Sequence, residues 1–234
     1  MRGTRMLRPV TLGMLAALGL SGCVLGPTKQ LSDFKKWEGA NNLAAIEGQS
    51  IDASCAADKK GTPECAQLAE IQGRACLTLA KGEAAANAAC PPATDTAKRR
   101  LQCAATDFDA ARTGKQFPPD QLDQFTEMRA RALYCHANTI ARSDGLAEAR
   151  EAGTELASLA ENPQRDQLAA SAALYEANTN QASAADRCSA ARKAVQLANR
   201  GLQNSPSNDI QQGLNATRDH ATAVAGSLPN CTVP

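Results

Sequence analysis

Nine cysteines are the residues of this 234-residue chain best equipped for chemistry, and their spacing narrows which chemistry that is. Eight of them are Cys55, Cys65, Cys76, Cys90, Cys103, Cys135, Cys188 and Cys231. A zinc site calls for paired spacings such as CxxC, or for Cys and His in close register, and neither occurs. An even set in an oxidising compartment closes into disulfides, so four bridges are expected, with roughly a hundred pairings open. Cys23 stands apart at the end of an apolar run. The two histidines are His136 and His220. His136 follows Cys135 directly, and successive helical residues point about 100° apart, so the two cannot form a Cys-His dyad. Paired carboxylates occur at Asp107 with Asp109, Asp120 with Asp123, and Glu148 with Glu151 or Glu155. Solvated helix faces produce such pairs routinely. No GxSxG, HExxH, Walker loop or GxGxxG is present. The chain is expected to be non-catalytic, without cofactor or metal.

The elements that must position these residues are helices. Hydrophobic residues make up 43% of the chain but aromatic ones only 3%, so alanine carries much of the apolar count. Alanine is the best helix former, and the expected class is all-α. Leu68, Ile71, Ala75 and Leu79 form one stripe, stopped by Gly82. A short helix is expected from Glu83 to Cys90, ended by Pro91-Pro92. Thr94 or Asp95 caps the next, where Ala97, Leu101, Ala104, Phe108 and Ala111 recur at helical steps. Pro118-Pro119-Asp120 starts another, with Leu122, Phe125, Met128, Ala132 and Cys135. Gly145 is expected to separate that helix from Leu146, Ala149, Gly153 and Leu156, which Asn162-Pro163 ends. Leu168, Ala172 and Tyr175 mark a further helix. Ala184 to Leu202 and Ile210 to Val224 complete the series. The net charge is +1, and no tract concentrates either sign. A nucleic-acid partner, which needs a basic face, is disfavoured.

The N-terminus has Arg2, Arg5 and Arg8, then an apolar stretch from Val10 to Leu20, then small residues. That is the layout of an export signal, too short to span a bilayer core of about 20 apolar residues. Leu20-Ser21-Gly22-Cys23 closely resembles the lipobox of bacterial lipoproteins. The resemblance implies that Cys23 is lipidated and that 1–22 is removed. It also implies that 23–31 is a lipidated tether and that the folded domain runs over 32–234, with Ser32 opening its first helix. Two or more acyl chains give stable anchoring. Val24 is not the aspartate typical of inner-membrane retention, which implies the outer membrane and its periplasmic face.

Internal similarity points to repeats. RALYCHANT (131–139) resembles AALYEANT (172–179), placing Tyr134 and Tyr175 41 residues apart. Such periods suggest stacked helix pairs. The chain resembles a degenerate array of tetratricopeptide-type repeats. Within 165–198, Leu168, Ala172, Tyr175, Ala184 and Ala191 match the family's large, small, aromatic, small and small positions, with Cys188 where a bulky aromatic is usual. Within 130–163, Leu133, Ala137 and Ala149 match, with Gly153 at the bulky position. The expected architecture is an α-solenoid of stacked helical hairpins stapled by disulfides, with a closed helical bundle as the alternative. In that frame the pairs are Cys76–Cys90, Cys103–Cys135, Cys188–Cys231 and Cys55–Cys65. The resemblance puts Arg131, Tyr134, His136 and Tyr175 on or near first helices that line a concave groove.

Two functions follow as expectations. One is a membrane-tethered, non-catalytic scaffold that binds protein partners of a cell-envelope secretion, pilus or assembly system. The other is a periplasmic inhibitor or immunity lipoprotein that caps a toxin or hydrolase, for which 113–120 (TGKQFPPD) is the expected protruding loop.

Overall fold

Alanine-rich segments between proline, glycine and asparagine breaks fold as helices. The computed structural model describes residues 26–51, 55, 61–85 and 88–233, and every regular element among them is helical. In chain order these are α1 (Pro27–Gly39), α2 (Leu43–Glu47), α3 (Pro63–Gly82), α4 (Asp95–Arg112), α5 (Pro119–Ala137), α6 (Arg142–Ser158), α7 (Pro163–Ala177), α8 (Ala184–Gln203) and α9 (Asn208–Gly226). Helices α1, α3, α5 and α7 each open on proline. At the first helical position its missing N–H would have had no partner anyway. Thr94 and Ser183 cap α4 and α8 by accepting from the Ala97 and Asp186 amides, satisfying donors that the helix leaves open.

Each helix packs on the next in sequence, so α3–α4, α5–α6 and α7–α8 form successive hairpins. Helix α9 closes one end against both α7 and α8, and α1 and α2 cover α3 at the other. The hairpins stack, rather than closing as a bundle. The seams are lined by fully buried alanines such as Ala97, Ala130, Ala177 and Ala191. A methyl group lets backbones approach closely but removes little apolar area from water. Larger buried side chains run from Phe34 and Ile46 at one end to Leu214 of α9; between α4 and α5, Phe108 stacks on Phe125 at 6.1 Å, and Phe117 meets Phe125 edge-on at 4.9 Å. No helix among the described residues is long and apolar enough to cross a membrane.

All eight cysteines after Cys23 are in disulfides: Cys55–Cys65, Cys76–Cys103, Cys90–Cys135 and Cys188–Cys231. Two of the expected pairs are exchanged. The reason is the segment after α3: the described residues between Glu83 and Cys90 are not helical and make an irregular connector. The segment runs into Pro91-Pro92, and a proline disfavours helical conformation in the residue before it. The antiparallel neighbour of α3 is therefore α4, which sets Cys103 against Cys76. Cys90, on the connector, reaches Cys135 of α5 instead.

Two boundaries also differ from the sequence reading. The first helix begins at Pro27, not Ser32, and its Leu31 is already buried beside Phe34. The expected tether is thus partly folded; Cys23 and Val24 lie outside the described residues. Gly145 lies inside α6, and the break falls at 138–141. Trp37 packs against Phe34, with centroids 5.9 Å apart.

Candidate functional site

Several of the paired carboxylates are engaged in ion pairs. Arg129 of α5 donates to Glu155 and Glu151 of α6, at 2.6 and 2.7 Å, and Arg112 of α4 donates to the same Glu155 oxygen at 2.6 Å. Asp109 pairs with Arg112 and Arg129. His136 Nδ1 lies 2.7 Å from Glu148. Asp120 and Asp123 are exposed. Arg129–Glu151, Arg129–Glu155 and His136–Glu148 fasten α5 to α6 within one hairpin, while Arg112–Glu155 and Asp109–Arg129 tie α4 to that hairpin; closely paired charges partly removed from water hold these seams in register. Among the described residues, the one cluster with the donor set for a metal is Cys76, Cys103 and Asp107. Both sulfurs are joined in a disulfide, which leaves a single carboxylate.

A different surface has the shape of a binding site. Helices α5, α7 and α9 run side by side on one face of the stack and enclose an open groove of about 670 Å³. Arg131 and Tyr134 rise from α5, Gln164, Gln167 and Ser171 from α7, and Asp209 from the first turn of α9. Ala89 of the α3–α4 connector forms part of the rim, held in place by the neighbouring Cys90–Cys135 bridge. A volume of this order suits a small molecule or a few residues of a peptide.

The groove is electrostatically uneven. Glu127 is bound by Arg165 at 2.8 Å, while Arg131 stands 3.9 Å from it. Lys81 lies close enough to Arg131 for the two to repel. Burial first, and then Arg131, pull the Lys81 ammonium below its ordinary value, while Glu127 acts in the opposite direction. Burial pushes the Tyr134 phenol up, with Ser171 and Asn138 partly countering. Thus three cations share one carboxylate at the α5 end, and Asp209 marks the α9 end.

Of the four residues expected to line a groove, Arg131 and Tyr134 do. Tyr175 is buried, its hydroxyl donating to the carbonyls of Ala137 at 3.0 Å and Arg142 at 3.3 Å, with the Arg142 guanidinium over its ring at 5.4 Å. His136 points to α6 and Glu148. Sequence reading missed Gln164, Gln167 and Asp209, because uncharged or singly charged residues on a helix face carry no motif. The expected protruding loop is folded down: Gln116 donates to the Pro63 carbonyl at 3.2 Å and Phe117 packs on Phe125. Comparison with family models, curated proteins and solved structures finds no match to this chain.

Proposed function

We propose that this chain is a lipoprotein of the outer membrane, anchored through Cys23 and facing the periplasm. In this reading it is a non-catalytic scaffold that binds partner proteins of a cell-envelope secretion, pilus or assembly system. The anchoring part rests on the lipobox-like Leu20-Ser21-Gly22-Cys23. The tetratricopeptide-like spacing and the hairpin stack support a protein-binding role, since such arrays present extended concave surfaces. The observation that carries the reading is the groove between α5, α7 and α9, lined by Arg131, Tyr134, Gln164, Gln167, Ser171 and Asp209, whereas Glu148, Glu151 and Glu155 are engaged in ion pairs.

The test is to express the full chain in a Gram-negative host, crosslink the envelope and identify what co-purifies from the membrane fraction, with Cys23→Ala as control. Several subunits of one envelope complex, lost on changing Cys23, are the expected result. A single stoichiometric toxin or hydrolase that also binds the soluble Cys23→Ala form would favour the inhibitor or immunity function instead. Equal membrane retention of both forms overturns the lipid anchor.

A further inference from the structure

Arg131 is the exception among the arginines of the described chain. Every other one has a carboxylate, carbonyl or hydroxyl oxygen of the protein within 3.5 Å. Arg131 has only Glu127, at 3.9 Å and already bound to Arg165. A guanidinium presents five N–H donors in a planar fork that matches a carboxylate. Here the fork lies at the groove wall with its side chain 31% exposed, beside a second cation, Lys81.

The groove floor adds a second observation. A Cβ built on Gly213 of α9 would fall 1.8 Å from Nε2 of Gln167, so the Gln167 carboxamide lies directly across the Gly213 backbone. Only glycine permits that crossing. Gln164 stands one turn away on the same helix. Carboxamides offer a donor and an acceptor each, the complement of a peptide unit. Asp209 supplies the opposite charge at the far wall.

We propose that the groove takes an extended peptide segment of a partner protein, with an acidic side chain on Arg131, backbone amides on Gln164 and Gln167, and a basic side chain facing Asp209. This deepens the scaffold reading and rests on it. Helices pack about 8–10 Å apart, so α5 to α9 spans up to about 20 Å, which an extended strand covers in about six residues. The segment recognised therefore carries its acid and its base about six residues apart.

The full chain, exported, oxidised and purified in detergent, is panned against a displayed library of random ten-residue peptides. Enriched peptides are then measured by fluorescence anisotropy on the unaltered protein and on Arg131→Ala, Gly213→Ala, Asp209→Asn and Arg150→Ala. Enrichment of an Asp or Glu about six residues from a Lys or Arg is expected. Arg131→Ala should weaken binding at least about tenfold, the size of one charge-assisted hydrogen-bond pair. Gly213→Ala, which displaces only a flexible side chain, should weaken binding without lowering the melting temperature, and Arg150→Ala should leave binding unchanged. Peptides without an acid, peptides bound equally by Arg131→Ala, or no enrichment at all would overturn the proposal. Inorganic phosphate binding at Arg131 without any peptide enrichment would overturn the peptide as occupant. Envelope partners still crosslinked to Arg131→Ala would overturn this inference alone, whereas the absence of any partner removes the scaffold reading itself.

Discussion

Tyr134 and Tyr175 are each the fourth residue of the two most similar segments of the chain, yet they face different ways because they differ by one residue in helical register from the helix end. Asn138 and Asn178 cap α5 and α7 in the same manner, their amides bonding Tyr134 O and Leu174 O respectively. Tyr134 thus lies four residues before its cap and Tyr175 three before its own. One residue is a rotation of about 100°. Tyr134 accordingly reaches the groove, while Tyr175 occupies the place that Cys135 holds in the earlier hairpin.

Tyr175 should make stability fall in alkali. Burial raises its phenol above the ordinary value, with Arg142 pulling down, so the unfolded chain loses this proton first. The contribution is complete below about pH 10 and declines as pH rises through the folded value. Tyr134 shifts in the same direction. Denaturant midpoints of Tyr175→Phe should show a loss of about 1–2 kcal/mol at neutral pH, from two carbonyls deprived of a donor. They should also fall less between pH 9 and 11 than those of the unaltered chain; an identical alkaline slope would contradict the assignment.

Gly145 and Gly153 share α6 but should respond differently to alanine. A Cβ at Gly145 would come within 2.5 Å of the Tyr175 hydroxyl and 2.6 Å of the Ala137 carbonyl oxygen. Backbone cannot yield there, and about 2–3 kcal/mol should be lost to overpacking. At Gly153 the nearest atom is Ala172 Cβ at 3.4 Å, ordinary contact. Gly153→Ala should be neutral or slightly stabilising through helix propensity. Thermal melts of the two variants decide the matter.

Glu155 is the shared acceptor of Arg112 and Arg129 and is 14% exposed at its side chain. Its removal leaves Arg112 and Arg129, the latter 11% exposed, to the half-exposed Asp109 and Glu151 alone. Urea unfolding of Glu155→Ala should show a loss of about 3 kcal/mol. Asp219→Ala, which breaks an exposed pair with Arg218, should be indistinguishable from the unaltered chain.

A non-reducing peptide map should recover Cys76 with Cys103 and Cys90 with Cys135, and no Cys76–Cys90 species. The Cys90→Ser/Cys135→Ser double variant opens a link of sequence separation 45, worth about 4 kcal/mol by chain entropy. It also frees the connector carrying Ala89 at the groove rim. Peptide binding should therefore weaken further than in a Cys55→Ser/Cys65→Ser variant, whose bridge lies away from the groove.

Much of the fold was legible without coordinates. Periodic leucine, alanine and phenylalanine, with proline and glycine between them, define α3 through α9, because helix formation is governed by neighbours within a few residues. The even cysteine set announced four bridges. What the linear pattern could not carry was anything dependent on rotation or on which helix stacks where. One inserted residue in the last turn of α5 sets Tyr134 apart from Tyr175 in register, and an irregular connector where a helix was expected exchanges the partners of Cys76 and Cys103. Gln164, Gln167 and Asp209 acquire meaning only when α7 and α9 lie side by side. Gly213 does so only because Gln167 crosses it. Local propensity determined the elements; the packing of one helix face on another decided which side chains were left open to a partner.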